Sequence, residues 1–360
     1  MRLGSALACV LTIAAWTAPA RAQSPQTRDE RRGWVVLPGA WLSTDQGFGM
    51  SASALYYFWL GKDAPRPSEI GLITFFTTQG DTVVRAEPSL RLKGDLFRLD
   101  TELEVARRAS VFYGFGNDAA LEDEEPYRRR RVVGKVRLTR RIAGSLHLGV
   151  AGEALWSSAL ESEMEGMLTS GMVLGADAGA AVGVGLVAQR DTRNRVYAPS
   201  SGSLVDASVF LYDDALGGDY SFSTWHANAR TYLELARDHV LALQLRGDFR
   251  TGQPPFDRLP LAGDANLLRG IQGGRFRDRH FLGAQMEYRS PMVWRLSGAL
   301  FMATGRVAHT LAELAQPEWK LAAGGGLRFA LKRADRVNVR MDVGFSRDGY
   351  ELYVQLREAF

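Results

Sequence analysis

Cysteine is almost missing from this chain. Of 360 residues one is a cysteine, Cys9, and it lies in an amino-terminal apolar stretch that reads as a cleaved leader. A mature chain without cysteine has no disulfide, no thiolate metal site and no cysteine nucleophile. It suits an exported bacterial envelope protein that does not depend on oxidative stapling. Long apolar runs are missing as well. Beyond residue 22 no window holds 18 consecutive apolar residues, which excludes a helical membrane protein. Histidine is scarce, five in all, and unclustered, so no metal site and no cofactor is expected. A G-x-S-x-G nucleophile elbow is absent, which removes a fused lipase. Gly183 to Ala188 matches G-x-G-x-x-A but sits in a Gly/Ala-rich strand pattern with no helix after it, so dinucleotide binding is not expected. The chain does not read as an enzyme.

What is present begins with an address. Arg2, an apolar core from Leu7 to Ala18 and the Ala20-Arg21-Ala22 site make residues 1–22 a signal peptide. Residues 23–33 would be a short periplasmic segment and 34–360 the folded domain. Without Arg2 and Arg21, 42 basic residues face 40 acidic ones. Arginine greatly outnumbers lysine, but no basic, aromatic-studded module appears, so nucleic acid is not an expected partner. Glu122 to Glu125 read as a solvated outer loop.

Alternation decides the class. In Leu96 to Val105, Phe97, Leu99, Thr101, Leu103 and Val105 share one face, and Arg98, Asp100, Glu102 and Glu104 the other. His239 to Arg250 and Arg336 to Phe345 repeat the pattern. Arg, Asp and Glu recur on the polar face of strand after strand. That fits a transmembrane antiparallel β-barrel with lipid outside and a charged, watery lumen inside. Only a closed barrel pairs the backbone of such strands within a bilayer. Sixteen strands are expected between 34 and 359, among them 34–43, 171–190, 281–290 and 349–359. With the N-terminus periplasmic, the short turns fall on the periplasmic side and the long connections at 110–126, 157–170, 252–280 and 307–317 fall outside. Pro38 and Gly39 are expected to interrupt the ladder of the first strand. Phe360 supplies the aromatic C-terminus common among outer-membrane barrels.

One connection stands apart. Gly252 to His280 is a long Gly- and Arg-rich insert with Leu268-Arg269-Gly270-Ile271 at its centre. A stretch this long without structure of its own is more often functional than filler. The tetrad resembles the Val/Leu-Arg-Gly-Phe/Tyr motif of the BamA/TamA family of outer-membrane assembly proteins, also called the bacterial surface antigen family. Gly274-Arg275-Phe276-Arg277-Asp278 and Glu287-Tyr288-Arg289-Ser290-Pro291 follow in the family's order. Arg190-Asp191-Thr192-Arg193-Asn194 with Pro199-Ser200-Ser201-Gly202 resembles its periplasmic turn. Tyr113-Gly114-Phe115-Gly116-Asn117 and Gly324-Gly325-Gly326-Leu327-Arg328-Phe329 match too. The resemblance covers roughly residues 34 to 360.

It implies that the insert is the sixth outer loop, folded back into the lumen. Arg269 would then point at an acid on the wall, with Glu287 the candidate, while Gly270 lets the backbone approach closely. Gly274, Arg275 and Asp278 would support the loop. Two departures bear on function. Ala303 stands where the family carries an aspartate on strand thirteen, so part of the acidic receptor is expected to be missing. The family's insertases carry periplasmic POTRA modules, whereas about ten residues separate Gln23 from the first strand. The implied protein is an integral barrel of a Gram-negative outer membrane. It would assist protein or lipid assembly or translocation through a lateral seam. Its expected partners are outer-membrane lipids and lipopolysaccharide, unfolded barrel clients and a separate periplasmic protein. The alternative is a passive pore or structural barrel plugged by the sixth loop.

Overall fold

The computed structural model describes residues 32–43, 47–61, 67–162, 165–196, 198–332, 337–356 and 358–360. The expected signal peptide and most of the segment expected before the first strand therefore lie outside the described residues.

Sixteen strands form one antiparallel sheet in which every neighbour in sequence is a neighbour in space. The first eight are β1 (Arg32–Ser43), β2 (Gly47–Phe58), β3 (Ser68–Thr77), β4 (Thr82–Leu92), β5 (Phe97–Phe112), β6 (Glu125–Ala143), β7 (Leu146–Ser157) and β8 (Gly179–Asp191). β9 (Gly202–Tyr212), β10 (Phe222–Ala236) and β11 (His239–Gly252) follow. The long insert then contributes two short strands of its own, β12 (Leu261–Ala262) and β13 (Phe276–Arg277), paired as a separate ribbon. The wall resumes with β14 (His280–Arg289), β15 (Leu296–Ala308), β16 (Lys320–Lys332), β17 (Val337–Ser346) and β18 (Gly349–Leu356). β11 pairs directly with β14 across the insert. The sheet curls into a barrel. Among the described residues no ladder joins β1 to β18, so these two edges define a seam.

The period of two places the charges inside. Leu103 and Val105 of β5 are exposed on the outer face, while Glu104 between them is buried against Arg85 of β4 and Arg131 of β6. Along β14, Met286 is exposed while Gln285, Glu287 and Arg289 are buried. The outer face carries a band of exposed Leu, Val, Ile and Met from strand to strand, the surface a hydrocarbon layer requires. Trp34, Tyr56 and Phe58 form a ring cluster on the outside at one rim, and Trp294 stacks edge-on against Phe329 at the same rim.

That rim carries the tight turns at 93–96, 144–145 and 237–238. The opposite rim carries the long connections 113–124, 158–178, 253–279 and 309–319. Two expected boundaries moved, and one expected break is absent. β8 starts at Gly179, not 171, because Leu168, Val173 and Ala176 turn inward and pack with Phe112 and Phe256. β18 ends at Leu356 because Glu358 and Phe360 are satisfied inside the barrel. The ladder of β1 is not interrupted: its register with β2 runs unbroken through Pro38 and Gly39. An edge strand tolerates a proline whose missing N–H would face the unpaired side.

The glycines of β8 accommodate large neighbours. A methyl group at Gly183 would lie 2.6 Å from the Tyr212 ring, and one at Gly185 would lie 2.7 Å from the Phe210 ring. The glycine-rich match in the sequence is therefore explained by packing across the sheet.

Candidate functional site

Residues 253–279 fold into the lumen. Leu267, Leu268, Ile271 and Phe276 are buried in one apolar cluster with Phe281, Ala303, Val307 and Ala322 of the wall. Ile271, which stands where the resemblance has an aromatic, and Phe276 thus share one cluster. Burying four such side chains is worth about 1.5–3 kcal/mol each before the entropy of ordering the loop is subtracted.

This packing delivers the Arg269 guanidinium to the wall. Arg269 is fully buried. Its Nη2 lies 2.6 Å from the Glu287 carboxylate on β14, as its place in the sequence suggested. Its Nη1 lies 2.7 Å from Asp342 on β17. Nη2 also donates to Gln285 Oε1 at 3.3 Å. The flat face of the guanidinium sits 3.5 Å from the centroid of Phe301 on β15. One arginine therefore spans three wall strands, with both ends of its fork on carboxylates and its face on a ring. Charge-assisted, forked contacts of this kind are strong and directional.

The expectation that part of the acidic receptor is missing is corrected here. Ala303 is an apolar wall residue of the loop's cluster, but Asp342 supplies the second carboxylate from β17. The receptor has two acids, one of them two strands away from where the resemblance puts it.

Gly270 fixes how closely the loop comes. Its φ is +112°, a conformation that side chains rarely adopt. A methyl group there would lie 2.6 Å from the backbone of Gly344 and Phe345 on β17. A methyl group on Gly344 would collide in turn with the Arg269 backbone. Both main-chain groups of Gly270 are held by the seam hairpin. Its N–H donates to Tyr353 Oη on β18 at 3.1 Å, and Ser346 Oγ donates to its carbonyl at 2.6 Å.

Around Arg269 lies a larger charge network. Glu287 also accepts from Arg289 Nε at 2.7 Å and lies 3.4 Å from Arg328 Nη2. Asp342 is also bound by Arg328 and by Arg340. Arg340 donates in addition to the Ala265 carbonyl at 2.7 Å and to Gln355 of β18, so it too joins loop and seam. Arg328 closes the network on Glu358 at 2.8 Å.

The other residues singled out by sequence divide in two. Some support the loop. Arg275 stacks between Tyr113 and Phe276 and donates to the Ala119 carbonyl. Gly274 turns at φ +80°. Asp278 holds the Arg279 N–H and lies 3.4 Å from His309. Gly116 N–H donates to the Arg277 carbonyl at 2.8 Å, which brings the Tyr113–Asn117 motif onto the insert. The others belong to the short-turn rim. There Asp191 pairs with Arg193, the Pro199 carbonyl faces Arg289 Nη1 at 3.5 Å, and Gly202 turns at φ +92°. Arg190 is exposed at the end of β8. Phe360 lies beyond the last strand, buried at that same end of the lumen. Asp342, Phe301, Tyr353 and Ser346 were missed. Their one available signal was inventory: Asp342 is one of the few acids on the inward faces of the last strands.

Comparison with known families is decisive at this point. The family model described as the Omp85 superfamily domain matches residues 85–345, well over half of the chain. The chain belongs to the Omp85 superfamily. No curated protein sequence matches it significantly. Among solved structures this Omp85 barrel is similar to BamA from Haemophilus ducreyi lacking POTRA domains 1-3, with a TM-score of 0.60 and 14% identity over 91% of this chain and 69% of that one. It is also similar to CdiB from Acinetobacter baumannii, with a TM-score of 0.56 and 13% identity over 90% of this chain and 59% of that one. Identities this low speak for the fold. Together they place the chain among BamA-type β-barrels of the Omp85 superfamily.

Proposed function

We propose that this barrel assists the assembly or translocation of polypeptide or lipid in the outer membrane, and that the seam between β1 and β18 is its working edge. In this reading the long-loop rim faces outward, the short-turn rim faces the periplasm, and the insert is a latch. One observation carries the proposal. Arg269 and Gly270 are docked on β17 and β18, the hairpin that borders the seam, through Asp342, Ser346 and Tyr353. A latch bonded to the seam hairpin can bias whether that edge stays in place. A loop that merely filled a pore would have no reason to choose it.

Likeness to BamA and CdiB supports a role with polypeptide clients, and separately encoded periplasmic partners are part of the proposal. The filled lumen weighs against an open passive pore: two apolar clusters built on 158–178 and 253–279 occupy it. Depletion of the protein followed by profiling of outer-membrane proteins tests the reading. A fall in barrel proteins is the expected result. Unchanged barrel levels, with a stable conductance in planar bilayers, would sink it in favour of a passive barrel.

A further inference from the structure

A patch of positive charge lies on the outward face of the wall, at the long-loop rim. Arg107 of β5 stands directly opposite Arg130 of β6 in the ladder, and Arg128 follows two residues away on the same face of β6. Like charges set directly opposite each other on a sheet repel, so this pair calls for an anion. Arg107 Nη2 lies 3.0 Å from the Glu161 carboxylate in the connection after β7. Glu161 extends the sheet beside Arg128 through two main-chain hydrogen bonds. Among the described residues this is the cluster's one ion pair, so three guanidiniums share one carboxylate and two positive charges are left over. Arg128 Nη2 donates to the Gln79 carbonyl at 2.6 Å, which fixes it against the turn after β3. The Nε groups of Arg107 and Arg128 have no hydrogen-bond partner among the described residues.

The next row toward the middle of the wall is apolar. Val84, Val105, Val132 and Trp156 stand side by side across β4 to β7, each paired with the next, and all four are exposed. Leu103, also exposed, continues this surface one step further along β5. Four strands at about 4.8 Å spacing make it about 14 Å wide, room for several acyl chains side by side. A tryptophan between an apolar band and charged groups marks the headgroup level of a membrane. A guanidinium fork matches phosphate. Arginines without the apolar row would suit a soluble anion; the boundary between the two rows fits a lipid. The charge narrows the headgroup. A phosphodiester carries a single negative charge, whereas a phosphomonoester carries about −1.5 to −2 at neutral pH, which matches the surplus.

We propose that the outward face of β4 to β7 binds a multiply acylated lipid with a phosphomonoester headgroup, the class to which lipopolysaccharide belongs. The acyl chains lie on Val84, Val105 and Val132, and the phosphate sits between Arg107, Arg128 and Arg130. The assignment to the outer leaflet rests on the orientation given above, with the long-loop rim outward; the site itself does not.

The test uses the full chain folded in a zwitterionic detergent, with a chelator present, and lipid A as the probe. Native mass spectrometry and competition against a fluorescent lipid A read binding. A guanidinium beside an anionic headgroup is worth about fivefold in affinity, so Arg130→Gln should bind about fivefold more weakly and Arg107→Gln with Arg130→Gln about 25-fold. Glu161→Gln removes the phosphate's competitor for Arg107 and should bind more tightly, by about the same fivefold. Arg140→Gln, which removes an exposed arginine near the other end of β6, should bind like the original chain. Dephosphorylated lipid A, phosphatidylglycerol and inorganic phosphate should all compete poorly. Heat-dependent gel mobility verifies that each barrel is folded. Unchanged binding in Arg130→Gln and in the double variant overturns the proposal, as does an equal loss in Arg140→Gln or a Glu161→Gln chain that binds no better. Effective competition by phosphatidylglycerol or by inorganic phosphate overturns it as well, since the site would then take any anionic lipid or a free anion. The assay needs neither orientation nor assembly activity, so it can fail while outer-membrane profiling succeeds, or the reverse.

Discussion

Which is the greater loss, the arginine of the latch or the acid that receives it? Four arginines, Arg269, Arg289, Arg328 and Arg340, surround three acids, Glu287, Asp342 and Glu358. Arg269→Ala leaves three against three. Glu287 keeps Arg289 and Arg328, and Asp342 keeps Arg328 and Arg340. Removing one partner of an isolated buried pair costs about 3–5 kcal/mol because the other charge is stranded. Here neither acid is stranded, so the expected loss is about 2–3 kcal/mol, including the stacking on Phe301. That loss falls on loop docking alone. At about 1.4 kcal/mol per factor of ten, the undocked population should rise roughly 30- to 150-fold. Glu287→Gln differs. It leaves four arginines against two acids in a buried site and strands charge on the wall itself, so it should cost the upper end of the range, about 3–5 kcal/mol. Chymotrypsin cleavage at Phe276, which is buried when the loop is docked, reads the first effect. Thermal loss of the compact gel band reads the second. Arg269→Ala should speed cleavage by the stated factor with little change in melting, whereas Glu287→Gln should shift both. Wild-type cleavage rates in Arg269→Ala, or a lower melting point for it than for Glu287→Gln, would refute the charge accounting.

Three further outcomes are expected. Gly270→Ala changes no charge but forces a methyl group onto the β17 backbone at a positive φ, so loop cleavage should rise at least as much as in Arg269→Ala; an unchanged rate would mean the loop is not seated there. Ala303→Asp, which restores the acid of the resemblance, should lower the melting temperature, because a carboxylate among Leu267, Leu268 and Ile271 costs roughly 2 kcal/mol or more when unpaired. Stabilisation by that change would show that Asp342 has not taken over the role. Asp95, in the turn before β5, gives a pH prediction. Burial alone would raise its pKa, but the hydrogen bonds from Arg98 and the charges of Arg98, Arg91 and His147 outweigh burial and lower it. A lowered folded pKa contributes stability that is complete above the ordinary aspartate value and is lost as the pH falls through the folded value. Acid titration followed by the folded gel band should therefore show a flatter decline below pH ~4 in Asp95→Asn than in the original chain; identical acid limbs would contradict it.

How much of this was legible beforehand can be judged residue by residue. The pairing of Leu103 and Val105 outside with Glu104 inside follows from alternation alone, since lipid on one side and water on the other leave a strand only one way to face. The count of sixteen follows from the same pattern read down the chain. Arg269 and Glu287 were also within reach, being 18 positions apart across a single loop. Asp342 was not. It lies 73 residues from Arg269, and alternation says only that it faces inward, not at what depth or beside which loop. The ends of β8 and β18 were misplaced for a related reason. Residues 168–176 and 358–360 bury apolar or charged groups by folding into the lumen, and such burial leaves no period to read.

Composition and period thus determined by themselves that the chain is a sixteen-stranded barrel with a charged interior and a long sixth loop. Those properties depend on local rules that repeat every two residues. Only the tertiary structure decided that the loop's arginine bridges Glu287 and Asp342, that its glycine is clasped by the seam hairpin, and that Phe360 packs back onto β10 and β11. Those contacts depend on how the sheet curls and how its strands are staggered. That geometry is a property of the whole curled wall, and no segment of the sequence carries it.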